Sequence, residues 1–224
     1  MRTQKLLITA AAALAAGILS SQAQVYSQNI VGYVNTILPV GNTPIANPLL
    51  NADGTNGAED VLTSLQGGDT ILVWNGGGYN AYTYFGPGSW VDTFGNPTAA
   101  PKLPQGAGIF YQNGQLTAET NTFVGTVVLT NSVNLPVGNT LVASTAPIAD
   151  SAEGTNINLP LQGGDSLLLW NGGGYNAYTY FGPGTWVDTF GNPTPAPTIP
   201  VGAGFFYQNG QLSAETWIEN VVVQ

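Results

Sequence analysis

The chain has 224 residues, 43% hydrophobic and only 7% charged, with 3 basic against 12 acidic residues and a formal charge of −9 at pH 7. It has no cysteine and no histidine, which excludes disulfides, thiolate and imidazole metal sites, and Ser-His or Cys-His nucleophile pairs. The shortage of cations excludes a phosphate backbone or an anionic membrane surface as the main partner, because both depend on Lys and Arg.

At the start, Arg2 and Lys5 precede a nearly continuous apolar run from Leu6 to Leu19, and Ser21-Gln22-Ala23 is a small-x-small pattern. This predicts a cleaved signal peptide over 1–23 and an exported chain from Gln24. The run is shorter than the ~20 residues that span a bilayer, so the exported chain is expected outside the cell, at the cell surface or in the periplasm, with no membrane insertion. Loss of Arg2 and Lys5 leaves Lys102 alone against the twelve acidic residues, a net charge of −11. Stability then rests on apolar burial and neutral hydrogen bonds.

The rest of the chain repeats itself. Gln66–Thr120 recurs as Gln162–Thr216 at a shift of 96 residues, and LPVGNT at Leu38–Thr43 recurs at Leu135–Thr140 at a shift of 97. Ile30–Val34 is echoed by Phe123–Val127 and, loosely, by Trp217–Val223. The expected domains are therefore 24–122 and 123–224, each opening on an apolar strand, with a last strand after the second. The strand following a repeat is positioned to complete the sheet before it.

Within a repeat, local signals predict β-structure. Ile71–Trp74 and Tyr79–Phe85 flank Asn75-Gly76-Gly77-Gly78, which reads as a hairpin whose glycines supply positive φ. Trp90–Asp92 is a short strand, and Phe94–Thr98 a turn. Ile109–Gln112 is closed by Asn113-Gly114, a type I′ hairpin signal with Gln115–Thr120 as the return strand. A short helix over Ala58–Leu65 is the only helix candidate, and Pro160 argues against its counterpart. Closely spaced turns predict an all-β fold of two homologous tandem sandwich-like or barrel-like domains, with at most one short helix per repeat.

Three sets of residues carry functional expectations. Trp74, Tyr82, Tyr84, Trp90, Trp170, Tyr178, Tyr180 and Trp186 are repeated aromatics beside Asn, Asp and Gln, the surface that neutral sugars stack on; the competing expectation is that they fill the cores. Tyr82 and Tyr84 share one strand face, with Tyr79 and Phe85 on the other. Ile30, Val31, Tyr33, Trp217, Ile218 and Val221 lie in terminal strands able to pair with another chain. Asp53, Asn56, Glu59 and Asp60 gather oxygen ligands in one loop, a weak calcium pattern that does not match the EF-hand spacing, so no cofactor is expected. Asp69, Asp92 and Glu119 recur as Asp165, Asp188 and Glu215, residue types that glycoside hydrolysis uses, but no spacing places two together, and no catalytic role is expected.

The segments SQAQVYSQNIVGYVN, LPVGNT, WNGGGYNAYTYF and the GxGxFYQNGQ stretch resemble secreted β-repeat proteins of Verrucomicrobia-type bacteria. The resemblance implies export from a Gram-negative-like cell and carries over no activity and no functional residue. The leading expectation is a non-catalytic extracellular structural or adhesive protein that associates with itself through its terminal strands. The alternative is a bivalent carbohydrate-binding protein using the repeated aromatic hairpins.

Overall fold

The computed structural model describes residues 30–221, so the expected signal peptide lies outside the described residues. The first half runs β1 (Val31–Leu38), β2 (Gly41–Ile45), β3 (Leu49–Leu50), a single helical turn α1 (Ala58–Val61), β4 (Thr70–Trp74), β5 (Tyr79–Gly86), β6 (Ser89–Asp92), β7 (Pro97–Thr98), β8 (Ile109–Asn113) and β9 (Glu119–Val127). The second half runs β10 (Thr130–Leu135), β11 (Gly138–Val142), β12 (Asp150–Ser151), β13 (Ser166–Trp170), β14 (Tyr175–Gly182), β15 (Thr185–Asp188), β16 (Pro193–Thr194), β17 (Thr198–Ile199), β18 (Phe205–Asn209) and β19 (Glu215–Asn220). The protein is all-β, built of several antiparallel sheets. Among the described residues no helix is long and apolar enough to cross a membrane.

Each half holds a six-stranded sheet of the same order, β2-β8-β4-β5-β6-β7 and β11-β18-β13-β14-β15-β16. The β4–β5 hairpin forms as expected: Trp74 faces Tyr79, Asn75 N–H donates to Gly78 O at 3.0 Å, and Gly76 takes a φ of 95°. Glycine reaches that φ without the Cβ clash that penalises other residues. Alternation then sorts the side chains. Ile71, Tyr84 and Trp90 face the interior, whereas Tyr79 and Phe85 lie on the opposite face, Phe85 exposed and Tyr79 edge-on against Phe110.

The expected return strand after Asn113-Gly114 does not pair with β8. Instead, β9 crosses to another layer and pairs along its length with β1, from Val31 opposite Thr126 to Leu38 opposite Glu119. The buried Asn113 makes this corner, with its amide donating to Leu38 O and Thr117 O and its Oδ1 accepting from Gln115 N–H. Gly114 serves close approach, since a Cβ there would sit 2.6 Å from Gly68 O. In the second half β19 pairs with β10 in the same way. β9 also runs straight through the domain boundary expected at 122/123, so Phe123–Val127 belongs to the sheet of the first half.

Two main cores result. In the first half, Ile71, Trp90 and Tyr111 from the large sheet pack against Val34, Leu38 and Phe123 from the β1–β9 ribbon. Leu167, Trp186 and Tyr207 pack against Leu135 and Trp217 in the second. Apolar burial is the dominant favourable term, as a chain with one cation beyond its first five residues requires.

A third cluster joins the halves. Phe110, Leu141 and Phe206 are buried together, with Trp74, Trp170 and Tyr175 packed against them. Trp74 meets Phe206 edge-on at 5.0 Å, and Trp170 meets Phe110 edge-on at 5.5 Å. Ile45 bridges to Ala203, and Val142 to Ala107. Ala46 N–H donates to Gly202 O, and Ala143 N–H to Gly106 O. Each contact is the counterpart of its partner under the sequence shift. The seam is therefore reciprocal, as in a two-fold dimer interface.

Candidate binding clefts

Four of the eight aromatic candidates are core residues. Tyr84, Trp90, Tyr180 and Trp186 are buried. The Trp90 indole donates to Glu59 Oε1 at 2.5 Å and the Trp186 indole to Glu153 Oε2 at 2.8 Å. These four offer no face to a ligand, because they fill the space between layers. Trp74 and Trp170 are half-buried in the seam. Their roles differ: the Trp74 indole N–H donates to Asn139 O at 3.1 Å, whereas that of Trp170 has no partner among the described residues.

Tyr82 and Tyr178 remain accessible, and each lines a cleft. Tyr82 lies with Asn80, Asp92, Thr93 and Phe94 around a space of about 210 Å³. Tyr178 lies with Asn176, Asp188, Thr189 and Phe190 around one of about 250 Å³. The strand register builds both, setting Tyr82 opposite Asp92 and Tyr178 opposite Asp188. Phe94 and Phe190 stand at the rims, each 87% exposed. Sequence reasoning missed these two phenylalanines by reading their segment only as a turn. The available signal was a large apolar residue at a turn tip, where no core lies beneath it.

The acids hold the clefts in shape. Asp92 Oδ1 accepts from Phe94 N–H at 2.8 Å and Asn96 N–H at 2.9 Å, and Asp188 does the same with Phe190 and Asn192. The Asn96 and Asn192 hydrogen bonds hold both carboxyls below the usual aspartate range. Each cleft therefore offers an aromatic face, a carboxylate and an amide, with no cation.

The other candidate sets are dispersed. Trp217 and Val221 are buried, and the Trp217 indole donates to Ile157 O at 2.7 Å, so neither reaches another chain. Ile30 packs against the first core. Val31, Tyr33 and Ile218 are exposed. Asp53, Asn56, Glu59 and Asp60 do not converge. Asp53 accepts from the Thr55 hydroxyl and N–H, Asn56 is tied to Asn51 and Leu49, and Glu59 turns to Gly88 and Trp90. Among the described residues no group of three or more acidic side chains is placed to hold a metal. Asp53 and Asn56 spend their oxygens within the loop, and Glu59 spends its own on Gly88 and the Trp90 indole.

Two carboxylates do meet, against the reading of the sequence spacing. The Tyr111 hydroxyl donates to Asp69 Oδ2 at 2.6 Å and approaches Glu119 Oε2 at 3.3 Å. Tyr207 repeats this with Asp165 at 2.6 Å and Glu215 at 3.0 Å. Asp69 is fully buried and also accepts from Gln66 N–H, Gly114 N–H and the Gln115 amide. With its acceptor sites filled, it pins its own turn, the Gly114–Gln115 corner and β8 together. Burial, then the charge of Asp69, raises the Glu119 carboxyl above its usual range, and burial raises that of Glu215.

No family model matches the chain, and neither a curated protein nor a solved structure shows a match to it.

Proposed function

We propose that the protein is a secreted, non-catalytic binding protein of two homologous β-sandwich-like units that holds neutral glycans through one cleft in each. The observation that carries this reading is the pair of equivalent clefts, each with a tyrosine, an exposed phenylalanine, an aspartate and an asparagine. Aromatic faces suit the C–H faces of sugar rings, and the carboxylate and amide suit hydroxyl donors. Two sites on one chain raise avidity through effective concentration by roughly 10²–10⁴ over one site. The test is retention on neutral polysaccharides such as β-glucan, mannan and xylan. Because Phe94 and Phe190 are exposed, the Phe94→Ala/Phe190→Ala variant should keep its melting temperature and lose retention. No retention of the parent on any of these polymers, or full retention by the variant, overturns the reading.

A second reading, self-association, is favoured by one observation. Val31, Tyr33 and Ile37 on β1 and Val124 on β9 form an apolar ribbon face, exposed by 59–73%. Among the described residues β1 pairs only with β9, which leaves its outer edge available for strand addition. Light scattering across a concentration series tests it: Tyr33→Lys should abolish growth in mass, and a constant single-chain mass for the parent sinks it.

A further inference from the structure

The two clefts are not equivalent in their surroundings. In the second half, Asn176 and Tyr178 line the local cleft and also a larger one of about 330 Å³ at the seam. The far wall of that seam cleft comes from the first half, at Thr43 and Pro44, and its outer wall from Thr198 and Pro200. One groove therefore runs from Phe190, over Asn176 and Tyr178, to Thr43. On the opposite side, a seam opening of about 290 Å³ is lined by Gln105–Ala107 and Ser132–Asn134. It shares no residue with the Tyr82 cleft.

The two seam indoles point the same way. Trp170, in the wall of the extended groove, has its indole N–H free among the described residues, whereas the Trp74 indole is bonded to Asn139 O. Thr43 Oγ1 is buried without a hydrogen-bond partner among the described residues, and so is its repeat counterpart Thr140 Oγ1 in the opposite opening, so the two sides differ at the indoles and not at these hydroxyls. At the repeat shift, Lys102 stands where Thr198 stands. The seam part of the groove wall is thus uncharged in the second half, with a cation at the matching sequence position in the first.

Building on the glycan reading, we propose that the groove from Phe190 to Thr43 takes a single extended, uncharged oligosaccharide, whereas the Tyr82 cleft takes only a short segment or chain end. The size argument agrees. The Tyr82 cleft, at about 210 Å³, is below the roughly 300–1,000 Å³ typical of ligand pockets, and the seam cleft alone lies within that range.

The experiment uses the full chain and a ladder of uncharged gluco-oligosaccharides, manno-oligosaccharides and xylo-oligosaccharides from one to six units. Phe94→Ala isolates the second site and Phe190→Ala the first, with binding measured by calorimetry. For the Phe94→Ala protein, affinity should rise at least about tenfold from disaccharide to tetrasaccharide; for Phe190→Ala it should level off at the disaccharide. Thr198→Trp, which narrows the groove, and Thr198→Lys, which copies the first half, should each remove the length dependence but leave disaccharide binding intact. Equal length dependence at both sites, or unchanged behaviour of both Thr198 variants at unchanged melting temperature, overturns the proposal and leaves the glycan reading standing. If no oligosaccharide binds and the neutral polymers also fail to retain the parent, both fall together.

Discussion

Asp69 and Asp165 show how a chain with almost no cations stabilises a buried carboxylate. Each is surrounded by hydroxyl, amide and backbone donors instead of a Lys or Arg. A hydrogen bond to a charged group is worth about 1.5–3 kcal/mol. Tyr111→Phe and Tyr207→Phe should each cost that much in urea denaturation. The neighbouring glutamates set a pH dependence. Unfolded glutamate titrates near ~4.3. Folding raises Glu119 and Glu215, so the folded state holds their protons more tightly than the unfolded chain does. Their contribution is complete below ~4.3 and is lost as pH rises through the folded values. Asp92 and Asp188 act in reverse: lowered on folding, they contribute above the unfolded value of ~3.9 and lose that contribution as pH falls through their folded values. The Glu119→Gln/Glu215→Gln variant should therefore match the parent's melting temperature near about pH 3 and exceed it near about pH 7, where the parent carries the strained charges. A melting series across pH reads this directly.

At the scale of elements, what the sequence revealed was local. The β4–β5 hairpin, the short β6 and the alternation of Tyr82 and Tyr84 against Tyr79 and Phe85 follow from neighbouring residues. Strand pairing across the chain was not legible: β1 meets β9 from almost ninety residues away, and Asn113-Gly114 carries the same letters whether it closes a hairpin or turns a corner. The helix shortens to one turn for a related reason. Leu62, placed in the predicted helix, is needed in the first core and ends the helix as its cap, with φ −102° and ψ 83°. The carboxylate pairs and cleft rims were hidden by the same distance, since Asp69 and Glu119 are fifty residues apart. Gly114→Ala and Gly210→Ala test the corner. In each, the new Cβ would lie 2.6 Å from a backbone oxygen, and such overpacking typically costs about 1–3 kcal/mol. A type I′ turn with positive φ would also penalise alanine. Asn at either position separates the two, because Asn tolerates positive φ but still clashes; here Asn should be at least as damaging as Ala in thermal melts.

For the whole molecule, the seam is the decisive feature. Phe110 and Phe206 are each 5% exposed and sit in reciprocal positions. Truncation to alanine removes edge-on aromatic contacts as well as buried area, so each should cost about 3–5 kcal/mol. Because the two share one cluster, the double variant should depart from additivity by 0.5 kcal/mol or more, roughly the size seen for residues in contact. A double-mutant cycle by chemical denaturation measures it. Additive losses would mean that the halves are stabilised independently.

The first core is not finished by the first half. It includes Ala146 and, from the far end of the described chain, Val221. β1 waits for β9, and the core behind it also takes in Val221, just after β19. Long-range closures are slow to form, because the entropy of closing the loop is lost before the contacts are gained. A chain emerging from its N-terminus therefore holds β1 unpaired until β9 has appeared, past the middle of the chain. Until then its apolar face has no partner strand behind it, and Val221 packs onto the same core only after the second half has been made.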